Sequence, residues 1–199
     1  DVDSVRICQP EQIAVDMSTG NIFWYRHRNI WGYNATDGQV SNIYSGDQNG
    51  SISRIGGIAF MNGEIYFTDQ ERHVLNKLSW NGEKFDLSLV AGVQNTTKNN
   101  WDNVPRNFDE AAFGQQPGYI TADPANNRLF VNTGYWEWNW DQMGRMYTVD
   151  FETSTVTEMK ELREFVAAQM QGYWPEFGKP SLDSSGSLYV PVTNVDAIL

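Results

Sequence analysis

Trp136, Trp138 and Trp140 recur at period two in the run TGYWEWNWDQMG, interleaved with Glu137 and Asn139 and followed by Asp141. In an extended segment the three indoles project to one side and the polar side chains to the other. A row of indoles flanked by acids and amides suits stacking on sugar rings, or on other flat apolar faces, while bonding their hydroxyls. The same row equally suits a private core that pins a long loop down. Two other segments carry similar residues. NNWDNVPRNFDE supplies Trp101, Asp102 and Arg106, and YWPE supplies Tyr173, Trp174 and Glu176. Together these residues form a candidate ligand-binding set.

Other chemistry is thin. His27 and His73 are the only histidines, and neither has a second His or a Cys at ligand spacing, so a metal site would need residues of distant segments to meet. Cys8 is alone, which excludes an internal disulfide and a cysteine cage. The acidic turns at 16–21 and 183–186 offer two or three oxygens each, whereas a calcium loop needs about six to eight. Asp-x-Ser there is ordinary turn chemistry. No nucleophile elbow is visible, and no catalytic residue, metal or cofactor is expected.

The elements that would position such residues are repeated. IAVDMSTGNIFW, IAFMNGEIYF, ITADPANNRLFV and SLDSSGSLYV each join two alternating apolar runs through a Gly/Asn/Asp turn. The aliphatic–aromatic pairs that end them start at Ile22, Ile65, Leu129 and Leu188, in steps of 43, 64 and 59 residues. Two more strand-like runs follow each of the first three hairpins, around ATDG, NGE and FETST. Asn-Gly and Asp-Gly supply the positive φ of tight hairpins. Four antiparallel strands recurring at about 40–50 residues, with insertions, predict an all-β chain of β-propeller blades. The repeats place blades at about 9–46, 52–92 and 116–160, with an incomplete one at 177–199, in a single domain spanning 1–199.

The repeats resemble those of the NHL propellers, whose consensus runs A-x-F-x-x-P-x-G-I-A-V-D and then L-Y-V-A-D-T-x-N-x-R-I-R-K-I. Ala111-Ala112-Phe113, Pro117-Gly118-Tyr119-Ile120 and Asp123 match the first half with one extra residue before the proline. The stretch IYFTDQERHVLNKL, starting at Ile65, tracks the second half and departs at Arg72, Val74 and Asn76. Val90-Ala91-Gly92 matches the exit. The resemblance implies a six-bladed ring of which this chain is a piece. The missing blades, and an immunoglobulin-like domain, would then belong to the parent chain. It also leaves open a metal-assisted, lactonase-like hydrolase or lyase with its site in the central channel, since such propellers draw one ligand from each blade.

A net charge of −11 with 14 basic residues opposes nucleic acid and anionic membrane as partners, because both need a basic footprint. No apolar run approaches the roughly 18 residues of a membrane span. Few lysines, many Asn, Gln, Asp and Thr, and abundant aromatics suit an extracytoplasmic bacterial protein.

The connections are unequal. Turns between first and second strands, and between third and fourth, are all short. The long insertions, 94–116, 133–144 and 160–178, all fall between second and third strands or between blades. In a propeller those connections share one face. In the last of them Leu162, Phe165, Val166 and Met170 recur at helical spacing, which predicts a short helix packed over the disc. Loops gathered on one face of a rigid scaffold are where binding resides. The expected function is therefore a non-catalytic binding scaffold for a glycan or a protein partner.

Overall fold

The computed structural model describes residues 10–46, 51–94, 104–113, 116–133, 144–169, 176–193 and 197–199. Two sheets are simple meanders. Strands β1 (Ile13–Val15), β2 (Ile22–Arg26), β3 (Asn29–Asn34) and β4 (Gln39–Ser45) form the first, and β5 (Ile55–Met61), β6 (Glu64–Asp69), β7 (Val74–Trp80) and β8 (Phe85–Ala91) the second. The third repeats the pattern with β10 (Pro117–Asp123), β11 (Arg128–Thr133), β12 (Arg145–Asp150) and β13 (Thr155–Glu158). A fifth strand, β9 (Arg106–Asn107), joins its outer edge through Val156 and Thr155. In the last repeat β14 (Ser181–Leu182) pairs with β15 (Leu188–Tyr189), and β16 (Pro191–Val192) with β17 (Ala197–Ile198).

The local chemistry explains the hairpins. Asn62 and Gly63 both have positive φ, 53° and 81°, as a two-residue turn matching strand twist requires. Asp16 accepts bonds from the Ser18 backbone and hydroxyl (2.9 and 2.6 Å) and from the Thr19 hydroxyl (2.6 Å). Asp183 accepts from the Ser185 and Ser187 amides, both at 2.9 Å, and from the Ser185 hydroxyl at 2.7 Å. These bonds hold both carboxyls below their ordinary range. The carboxylates are occupied by their own turns, in keeping with turn chemistry.

Neighbouring sheets pack face to face through three apolar cores. Phe23, Tyr25 and Ile30 of the first meet Ile58, Phe67 and Leu78 of the second. Tyr66 and Leu75 of the second meet Ile120, Val131 and Tyr147 of the third. Phe130 and Met146 of the third meet Phe177, Val190 and Val192. Helix α1 (Lys160–Gln169) covers this last core with Leu162 and Val166. Phe165 departs from the expected stripe and is 57% exposed: it sits on the solvent border of an arc that Leu162 and Val166 already fill. Met170 lies outside the described residues. Beneath the helix Arg145 Nη1 (2.8 Å) and Arg163 Nε (3.1 Å) both donate to Glu158 Oε1, with Arg145 and Glu158 buried.

The disc has two unlike faces. Asn62 Nδ2 donates to Asn127 Oδ1 at 3.0 Å, joining the first-hairpin turns of the second and third sheets on one face. Strand direction brings the described ends of the long insertions, at Ala91, Pro117, Thr133, Arg145 and Glu158, to the other.

Candidate ligand site at the propeller axis

Tyr25, Thr68 and Asn132 each stand three residues beyond the aliphatic of their aliphatic–aromatic pair, on β2, β6 and β11. The Tyr25 and Thr68 side chains donate to the inner strand of the next blade, and the Asn132 side chain to the segment just before it. The Tyr25 hydroxyl bonds Gly56 O at 2.8 Å, and the Thr68 hydroxyl bonds Gly118 O at 2.8 Å. Asn132 Nδ2 bonds Phe177 O at 2.6 Å and Gly178 O at 3.2 Å. A ring of equivalent bonds therefore stitches blade to blade on the insertion face. The first two acceptors begin inner strands that touch. A Cβ on Gly57 would stand 2.6 Å from Gly118 O, and one on Gly56 would stand 2.4 Å from Pro117 O. Only glycine permits that approach.

The first blade breaks the pattern. Register pairs Ile13 with Trp24, Ile58 with Phe67 and Ile120 with Val131, so Glu11 occupies the position of Gly56 and Gly118. Glu11, whose Oε1 accepts from the His27 amide at 3.5 Å, lines a cavity of about 300 Å³ on the insertion face, together with Tyr25, Arg54, Gln70, Tyr119, Asn132 and Phe177. Gln12, next to Glu11, reaches across the axis. Its Nε2 donates to Ile120 O at 3.1 Å, and its Oε1 accepts from Ile58 N at 3.0 Å.

The cavity is polar and partly unsatisfied. Burial raises the Tyr25 hydroxyl far above its ordinary range, and the Glu11 charge raises it further, so it acts as a neutral donor. Asn132 is 3% exposed, and its Oδ1 has no donor among the described residues. That oxygen is shut off from solvent against Gly118, where a Cβ would stand 2.7 Å from it, so it belongs to the cavity wall and offers no contact to a ligand. The Arg54 guanidinium and Glu11 carboxylate form no ion pair with each other, so one cation and one anion front the same space. Among the described residues no three of His, Cys, Asp or Glu gather as a metal cage. His27 and His73 adopt φ of 55° and 61° in second-to-third strand turns. A wider cleft continues past Glu11 to Glu176, Phe177 and Lys179, where burial lowers the Lys179 pKa.

Of the candidate set read from the sequence, Arg106 and Glu176 lie among the described residues. Glu176 borders the axial cleft, and its carbonyl accepts from the Thr193 amide at 2.9 Å. Arg106 sits on β9 at the outer edge of the third sheet, opposite Val156, and does not line the cavity. Trp101, Asp102, Trp136, Glu137, Trp138, Asn139, Trp140, Asp141, Tyr173 and Trp174 lie outside the described residues. The sequence reading passed over Glu11, Gln12, Tyr25, Arg54 and Asn132. A signal for Tyr25 and Asn132 existed: a position that varies as Tyr, Thr and Asn at the end of otherwise apolar strands. No helix among the described residues is long and apolar enough to cross a membrane.

No family model matches the chain, and no curated protein matches it. Solved structures do. An auxiliary nutrient binding protein from Bacteroides thetaiotaomicron VPI-5482 superposes with a TM-score of 0.62 at 16% identity, over 96% of this chain and 37% of that one. A nidogen/laminin complex superposes with a TM-score of 0.54 at 16% identity, over 90% of this chain and 55% of that one. The chain thus spans 37% and 55% of these two neighbours. At such identity the likeness concerns architecture, and with the repeated four-stranded antiparallel sheets it establishes the fold: the chain is built as a β-propeller.

Proposed function

We propose that this chain is a non-catalytic binding scaffold, an extracytoplasmic propeller of NHL type. It takes a glycan on the insertion face, with one sugar ring anchored in the axial cavity. The observation that carries this reading is the convergence of Glu11, Arg54 and Gln70 on one concave space of about 300 Å³. A sugar ring offers hydroxyls that both donate and accept, so it can serve a carboxylate, a guanidinium and an amide at once. The concavity favours a glycan over a flat protein surface. The nutrient-binding role of the Bacteroides neighbour supports binding in general. Trp136, Trp138 and Trp174, in segments that leave from this face, would extend the site by stacking. A metal-assisted hydrolase or lyase would need several carboxylates at the axis, and Glu11 is the only one among the described residues lining the cavity.

The test is calorimetric titration of wild type, Glu11→Gln and Arg54→Ala against a panel of oligosaccharides, with melting curves alongside. Both altered side chains are exposed, so the fold should persist. The expected result is saccharide binding weakened about tenfold or more in each variant at unchanged melting temperature. Binding unaffected by both changes would remove the axial cavity from the site.

A further inference from the structure

The spaces between blades open outwards as wedges, and the chain fills two equivalent wedges differently. Between the second and third blades Phe151 meets Tyr66 edge-on at 5.2 Å and Phe108 at 5.5 Å, with Phe108 supplied by the segment that carries β9. Lys77, paired with Tyr66 on the same sheet face, covers that side. Its Nζ bonds Glu64 at 2.9 Å, and the Ser79 hydroxyl bonds the same carboxylate at 2.5 Å. Rings and paired polar groups close this wedge.

Between the first and second blades the corresponding positions read differently. Register puts Phe23 where the next blade has Tyr66, Gly32 where it has Lys77, and Asn21 where it has Glu64. Trp80 takes the place of Phe151. Phe60, where the third blade has Ala122, stacks on Phe23 at 5.4 Å, but no described residue takes the outer place of Phe108. A cleft of about 610 Å³ remains, walled by Phe23, Gly32 and Ser41 on one side and Trp80 and Phe85 on the other. The Trp80 indole, tilted against Phe85 at 5.1 Å, is 55% exposed. Asn21 Oδ1 accepts from the Ala35 amide at 2.9 Å, while Asn21 Nδ2 and the Ser41 hydroxyl bond no described residue. Glu83 and Lys84 at the rim carry opposite charges, so the cleft is neutral on a chain of net charge −11.

We propose that this cleft is a second binding site, for a neutral oligosaccharide. One pyranose ring lays its apolar face on Trp80, filling the space that Phe108 fills in the next wedge, and its hydroxyls bond Asn21 Nδ2 and Ser41 Oγ. An aromatic side chain from a protein partner would match Trp80 but leave both polar groups unpaired. A sugar ring, apolar on its face and hydroxylated on its rim, satisfies both walls. The site lies on the rim of the turn face, apart from the axial cavity.

The test is affinity electrophoresis of the whole chain in native gels cast with soluble starch, galactomannan, xyloglucan or mixed-linkage β-glucan. At least one polysaccharide should retard the wild type. Trp80→Ala should weaken that retention about tenfold. Asn21→Asp keeps the acceptor for Ala35 and removes the donor, and with Ser41→Ala it should weaken retention severalfold at unchanged melting temperature. The Trp80→Ala loss is read again in a Glu11→Gln, Arg54→Ala background, where the axial cavity no longer contributes to retention, so the two readings fail separately. Wild type running unretarded in every gel would overturn the proposal, as would Trp80→Ala retained like wild type. Capture of a peptide of sequence 104–113 instead of any polysaccharide would assign the wedge to a polypeptide and overturn it too.

Discussion

Gln12 offers the sharpest test of how the axis is built. Its amide spans three blades, donating to Ile120 O and accepting from Ile58 N, and is 6% exposed. Both partners belong to inner strands, whose axial edges have no further strand to pair with. Gln12→Leu keeps the volume and strips both bonds, leaving a buried N–H and a buried C=O without partners. Each such orphan costs about 1–3 kcal/mol, so the expected loss is about 2–6 kcal/mol, a large share of the roughly 5–15 kcal/mol that holds a domain together. For a chain of this size that corresponds to a fall in melting temperature of at least about 4 °C. Calorimetry and urea titration would both read it, and an unchanged m-value would show that the folded state stays compact. A Gln12→Leu chain within about 0.5 kcal/mol of wild type, below any orphan cost, would refute the axial staple and the geometry of the cavity beside it.

Three further outcomes follow from other sites. Arg145→Met should cost about 3–5 kcal/mol in urea titration, because it withdraws one of the two cations donating to the buried Glu158 carboxylate; a loss under about 1 kcal/mol, well short of that range, would count against it. Gly57→Ala should lower stability by about 1–3 kcal/mol or more in thermal melts, since its Cβ would stand 2.6 Å from Gly118 O and 2.8 Å from Tyr119 Cα. Burial raises the Asp123 carboxyl, but bonds from Asn126 and Arg128 outweigh it, and its net pKa lies below the ordinary value. Its stabilisation is therefore present above the unfolded-state pKa and lost as pH falls through the folded one, so melting curves from about pH 6 to about pH 3 should show a shallower acid loss for Asp123→Asn than for wild type.

What was legible in the sequence was local. The four first hairpins could be read because period-two alternation and Asn-Gly chemistry act within ten residues. The role of Asp69 is only partly local: it accepts from the Arg72 amide at 3.2 Å in its own turn, and also from the Ser53 and Arg54 amides at 2.9 and 3.4 Å, at the start of the blade. Strand β9 was not legible, since Arg106-Asn107 shows no alternation and becomes a strand only by meeting Thr155 and Val156. The axial cavity was hidden for a related reason. The middles of the inner strands are apolar, while the residues at and just before their starts bring Glu11, Gln12 and Tyr119 to the insertion face. A cavity made of one strand end from each of several repeats leaves no contiguous motif. Phe165 was assigned to the packed stripe because helical spacing alone cannot separate the centre of an apolar arc from its border.

The two candidate sites share a physical origin. In a repeated fold each position first answers the packing that every blade needs: glycine where inner strands touch, a second-strand donor for the next blade, a filler for the outward wedge. A copy that departs from such a position either loses stability or uses the freed space. Glu11 replaces a glycine and lines a cavity that Arg54 also fronts. Gly32 replaces the Lys77 position of the next blade, Phe108 has no counterpart among the described residues, and a half-exposed indole is left at the rim. An exposed tryptophan costs free energy in the unliganded chain, and a carboxylate and a guanidinium left unpaired with each other at the axis keep their bonding capacity for a ligand. Both spaces suit the same kind of molecule, one that is apolar on its flat face and hydroxylated at its edge.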